Sequence, residues 1–212
     1  MCTPEWKKLE ERGGDVLESE VVTNDELEYL TLPAGGCVLD VLDVSILPAG
    51  TVAACERGVA HAEYVLGTLT RRMEEYCDSQ LGKDPYLPTI MEMCIAKCPP
   101  FPQWFRAVLV EHTPGAPAAR VCYVDYGNIE TVPVADLRKM LPEFVRGVPA
   151  LALHVEINDF PKDITAEQLD RAIAHLQITD EGHGTLHVTR CKHRSPGVYA
   201  VDAPALIAAM RA

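Results

Sequence analysis

The sequence predicts a mixed α+β protein, mostly β, in which a small barrel of short strands sits between two flanks that complete each other. Three observations predict this. Four β-rich runs crowd into roughly forty-five residues near the middle, separated by Pro- and Gly-rich turns, the spacing of a small bent barrel. Before them lies a strand–strand–helix pattern, and after them a strand–helix–strand–strand pattern. Neither flank has enough strands to close a sheet alone, so the two halves are expected to pair.

The elements follow in order. Residues 1–35 form an acidic extension, with a short helix predicted over Pro4–Arg12 because Thr3-Pro4-Glu5 is a good helix start. Cys37–Val44 alternates apolar and acidic residues and reads as a strand, with Thr51–Cys55 as its partner across Pro48-Ala49-Gly50. Ala62, Leu66, Leu69, Met73 and Tyr76 recur at helical spacing and predict one apolar stripe on a helix ended by Gly82 and Pro85. The barrel strands are predicted at Met91–Lys97, Trp104–Glu111, Arg120–Tyr126 and Ile129–Pro133, with a helical turn over Val134–Leu141. Leu151–Ile157 reads as a strand. Thr165-Ala166-Glu167-Gln168 is a capping box opening a helix that buries Leu169, Ile173 and Leu176. Thr185–Cys191 and Gly197–Val201 read as a hairpin, and Ala203–Arg211 as a closing helix. The expected divisions are 1–35, 36–89, 90–141 for the barrel, and 142–212.

Composition narrows the function. An apolar content of 48% and a charged content of 24% suit a globular protein, and no segment is apolar enough to span a membrane. Residues at the start lack the apolar core of a signal peptide, and their linker-like character suggests a piece of a longer protein. Net charge is −12 over 212 residues, and only part of it comes from the acidic N-terminus. Such a field favours cationic partners and disfavours nucleic acid as the main ligand, although Arg190–Arg194 forms a local basic run. The eight cysteines show no paired CxxC spacing, and His187, Cys191 and His193 are too few for a zinc site, so reduced thiols and no metal are expected. No serine-hydrolase, phosphate-loop, zinc-protease or dinucleotide motif is present, so neither an enzyme nor a cofactor is expected.

Aromatic placement points to binding instead. Five of the thirteen aromatic residues (Phe101, Trp104, Phe105, Tyr123 and Tyr126) lie between positions 101 and 126. Trp104 and Phe105 are neighbours on a strand and must face opposite sides, so one is expected to fill the core. Tyr123 and Tyr126 straddle a strand end at Gly127, where a barrel opens. Rings on such a rim suit a cationic, peptide-like ligand, each ring–cation contact contributing about 0.5–2 kcal/mol.

The runs QWFRAVLVE and VCYVDYGNIETVPVADLRKM resemble the Tudor domain. The flanks resemble, in layout, the split staphylococcal-nuclease-like (OB-type) module around the barrel of extended Tudor domains. This resemblance implies a non-catalytic reader of symmetric dimethylarginine in Piwi-type proteins, an adaptor in the germline piRNA pathway, cytoplasmic and in germ granules. By position it implies an aromatic cage of Phe105, Tyr123 and Tyr126, with Asn128 accepting from the guanidinium. Ala96-Lys97-Cys98 places a cysteine where the family has its first cage aromatic, which leaves the further wall to Phe101 or Cys98. A scaffold or dimerisation module that docks partners elsewhere is the alternative reading.

Overall fold

Alternating strands and amphipathic helices build two separate sheets in the computed structural model, which describes residues 3–13, 20–180 and 182–212. In chain order the elements begin with α1 (Glu5–Glu11), β1 (Cys37–Asp43), β2 (Thr51–Glu56), α2 (Ala60–Glu63) and α3 (Thr70–Cys77). The middle holds β3 (Met93–Lys97), β4 (Trp104–Glu111), β5 (Ala118–Tyr123), β6 (Ile129–Pro133) and β7 (Leu137–Lys139). Then follow β8 (Leu153–Ile157), α4 (Ala166–Leu176), β9 (Gly184–Val188), β10 (Arg190–Ser195), β11 (Val198–Asp202) and α5 (Pro204–Arg211). Of the acidic extension, Asp15 and Glu18 lie outside the described residues.

The chain divides into two units. The first comprises residues 1–28, 61–125 and 129–149, and carries an antiparallel sheet in the order β6-β5-β4-β3-β7. The second comprises residues 29–60, 126–128 and 150–212, and its six-stranded sheet runs β10-β11-β8-β2-β1-β9. The early β1–β2 hairpin pairs with the late strands at both β2–β8 and β1–β9, so the two flanks do complete one sheet. Leu39, Val41, Val52, Leu153, Val155 and Val201 fill its core together with Leu206 and Met210 of α5. The capping box of α4 is present in both directions: Gln168 N donates to Thr165 Oγ1, and Thr165 N donates to Gln168 Oε1.

Four local expectations are corrected. Val134–Leu141 is not a helical turn throughout; a 3-10 turn over Val134–Asp136 gives way to β7, which pairs with β3 at Cys94↔Lys139 and Ala96↔Leu137. The long helix carries a π-helical stretch, Tyr64–Leu69, between α2 and α3. Its wider turn rotates the stripe, burying Val65, Leu69, Met73 and Tyr76 and leaving Leu66 exposed. In α4 the buried face is Ala172 and Leu176 with Leu169 partly covered, and Ile173 is exposed. The late hairpin is β10 with β11, because β9 is taken by β1.

Candidate ligand-binding site

Strand alternation on β4 sets up the site. Phe105, Ala107 and Leu109 face one side of the sheet, while Trp104, Arg106 and Val108 face the other. Register places Ala107 opposite both Cys94 and Tyr123, so Phe105 and Tyr123 share a face. Their rings meet edge to face, with centroids 6.1 Å apart and an interplanar angle of 87°. This is a favoured aromatic geometry. Phe105 is half-buried.

Tyr123 departs from the expected exposed rim. Only 1% of it is exposed, and its hydroxyl donates to the Lys97 carbonyl at 2.5 Å. Burial first, and then the adjacent Cys98 thiol, hold its phenol far above the usual tyrosine range. The cysteine at the position of the missing aromatic therefore lies beside Tyr123. Phe101 is 57% exposed, on a turn closed by its amide donating to the Cys98 carbonyl at 2.8 Å.

Trp104 is the inward member of its pair, at 6% exposure. Its ring already has two cations: Lys97 Nζ lies 4.8 Å from the centroid and the Arg138 guanidinium 4.7 Å. This ring is occupied by the protein's own charges.

The opposite face of β4 holds what the sequence reading did not single out. Arg106 is wholly buried, and its Nε and Nη2 donate to Oδ2 and Oδ1 of Asp125 at 2.9 and 2.6 Å. Nη1 donates to the carbonyls of Phe144 and Val148, and Nη2 also to that of Pro149. A planar guanidinium with five donors suits this arrangement, where an ammonium would not. The signal lay in the motifs themselves, as the Arg of WFRA and the first Asp of VDYGN. Together these bonds fix Asp125 in the turn that follows β5.

Gly127 follows, with φ +86°, a conformation glycine adopts without steric cost. A Cβ there would come 2.3 Å from the Ala53 Cβ, so the position is closed to side chains on two grounds. Tyr126 and Asn128 are half-buried and group with the second unit, whereas Phe105 and Tyr123 group with the first. Among the described residues no group of three or more His, Cys, Asp or Glu side chains could hold a metal ion.

Residues 59–159 match the Tudor domain family model. Tudor domain-containing protein 1 of Homo sapiens is 33% identical over 91 residues, covering 43% of this chain and 8% of its own. Protein vreteno of Drosophila melanogaster is 29% identical over 146 residues, covering 68% of this chain and 20% of its own. The chain thus spans a fifth or less of either relative. Among solved structures, the extended Tudor domain of mouse TDRD1 in complex with a MILI peptide containing dimethylarginine superposes with a TM-score of 0.67. It is 21% identical and covers 82% of this chain and 85% of that one. The Drosophila melanogaster Papi extended Tudor domain in complex with an unmethylated Piwi N-terminal peptide gives 0.60 at 15% identity, covering 80% and 90%. Residues 59–159 of this chain therefore match the Tudor domain family model, in a chain that takes the extended Tudor fold.

Proposed function

We infer that this chain is a non-catalytic reader of arginine-containing peptides. Phe105 and Tyr123, with Tyr126 and Asn128 from the turn that follows, receive the guanidinium, and Asn128 accepts from its N–H. The observation that carries this reading is the edge-to-face Phe105–Tyr123 pair with Cys98 alongside it, on a strand whose other face is locked by Arg106. Rings with exposed π-faces attract cations, and the net charge of −12 favours a basic peptide over an acidic one. Tyr123 is too buried to touch a ligand as it stands, so binding includes a local shift of Phe105 or of the Cys98 segment.

The peptides held by similar extended Tudor domains include both a dimethylarginine peptide of MILI and an unmethylated Piwi peptide. The corresponding partner of this chain is a Piwi-type N-terminal segment. Its cellular role is that of an adaptor in the germline piRNA pathway, in cytoplasmic germ granules. The domain limits this reading uses are 36–89 and 142–212 for the flanking module and 90–141 for the barrel. Cys98 in place of an aromatic, with Phe101 as the substitute wall, reduces the preference for the methylated form.

Calorimetric titration with matched peptides, unmethylated and symmetrically dimethylated, tests the reading. Binding of both is expected, the methylated one tighter by no more than roughly five-fold, the equivalent of one weak ring contact. Failure of both peptides to bind removes it. The burial of Tyr123 favours a second reading, a scaffold with a closed cage, in which case neither peptide binds and partner capture survives loss of the tyrosines.

A further inference from the structure

Strand β10 carries Arg190, Lys192 and Arg194, at alternate positions and all exposed. Alternation sets Arg190 and Lys192 on one face of the strand, about 6.7 Å apart, and Arg194 follows at the bulge between His193 and Ser195. Six of the protein's other arginines are neutralised: Arg57, Arg72, Arg106, Arg120, Arg146 and Arg171 each pair with a carboxylate. No ion pair forms at the three β10 cations among the described residues. The acid opposite Arg190 in the β10–β11 register is Asp202, whose Oδ1 instead takes the Asn158 amide at 2.7 Å.

The strand is also an edge. Its place in the sheet is outermost, beside β11 alone. Cys191 N donates outward to the Ala34 carbonyl at 3.3 Å rather than to β11, and strand alternation turns the His193 amide the same way. An edge with outward amides is a site for strand addition, and its side chains select what is added.

We propose that β10 docks an extended acidic protein segment with carboxylates at every second residue. Such a segment has the same repeat as the regular part of β10, so its acids meet Arg190 and Lys192 in register, and Arg194 adds charge at the bulged end. Its backbone reaches the outward His193 amide. This surface shares no residue with the Phe105–Tyr123 site.

Fluorescence anisotropy with the whole chain tests it, using a labelled peptide of alternating Asp and Thr and an isomer with the same acids clustered. The alternating peptide is expected to bind at low salt, several-fold tighter than the clustered isomer, and to weaken as salt rises. Replacing Arg190, Lys192 and Arg194 together by Gln is expected to weaken it at least about ten-fold, from three exposed pairs. Replacing Arg71, Lys83 and Lys162 by Gln removes the same charge elsewhere and is expected to leave binding intact. A thermal melt checks that each variant is folded, and Lys192→Glu alone serves if the triple variant is not. No binding, equal binding of the isomer, equal loss in the control variant, or tighter binding of a single-stranded RNA of equal charge would each overturn the proposal.

Discussion

Arg106 and Asp125 form a two-pronged ion pair with both side chains withdrawn from water, at 0% and 5% side-chain exposure. Two charges taken out of water are stable only when their donors and acceptors are met, and the three carbonyls at Phe144, Val148 and Pro149 meet the rest. Asp125→Asn is therefore expected to leave an uncompensated buried cation and destabilise the first unit by about 3–5 kcal/mol. Arg106→Lys is expected to do nearly the same, since one ammonium cannot serve five acceptors. Thermal melts check both, and a drop of only a degree or two would show the pair to be dispensable.

Gly127→Ala is expected to cost about 1–3 kcal/mol, from a left-handed backbone and the 2.3 Å approach to Ala53. Gly115, also at positive φ but with open space around it, is the control: Gly115→Ala is expected to show the smaller backbone effect alone. Chemical denaturation of the two variants separates steric closure from conformational preference. Equal losses would contradict the assignment.

Alkaline pH acts on the buried Cys55. Burial, and then the Asp40 charge, push its thiol from 9.0 up to about 11. The folded state holds this proton more tightly than the unfolded chain. The stability it contributes is complete below pH 9 and is lost as pH rises through about 11, on the order of 2 kcal/mol. Tyr86, pushed up to about 12 by burial and by its bond to Glu92, adds a later loss. Melting temperature measured across this range is expected to fall less steeply in Cys55→Ala than in the parent. Parallel curves would rule out this thiol as the cause.

Cys98→Tyr restores an aromatic at the position beside Tyr123. It is expected to raise the preference for the dimethylated peptide by roughly five-fold, through tighter binding of that form. Competition titration of the two peptides reads the ratio. An unchanged ratio would mean that Cys98 does not line the pocket.

Much of the barrel was legible because its strands are short β-rich runs bounded by Pro- and Gly-rich turns. Trp104–Glu111 and Ile129–Pro133 fall where the sequence places them. The capping box at Thr165 and Gln168 announced α4 because its chemistry is local. What was not legible depends on partners distant in sequence. Leu137–Lys139 is too short to show a period, and it becomes a strand only because β3 offers a free edge. Leu66 fits a regular helical stripe, and only the π-helical stretch displaces it. Arg106 reads as a surface charge, since a charged residue in a strand ordinarily faces water, and its acceptors lie 19 to 43 residues away. Tyr123 reads as an exposed ring of the rim, but it is buried and bonded to the Lys97 carbonyl 26 residues away, which no local pattern announces.

The central claim is that arginine enters at Phe105 and Tyr123. Chemical-shift mapping on isotopically labelled protein, with a symmetrically dimethylated arginine peptide added stepwise, tests it most directly. The largest shifts are expected on Phe105, Tyr123, Tyr126 and Asn128, with smaller ones at Cys98 and Phe101, and none along β10. Shifts that leave Phe105 and Tyr123 unmoved while the peptide binds elsewhere would contradict it.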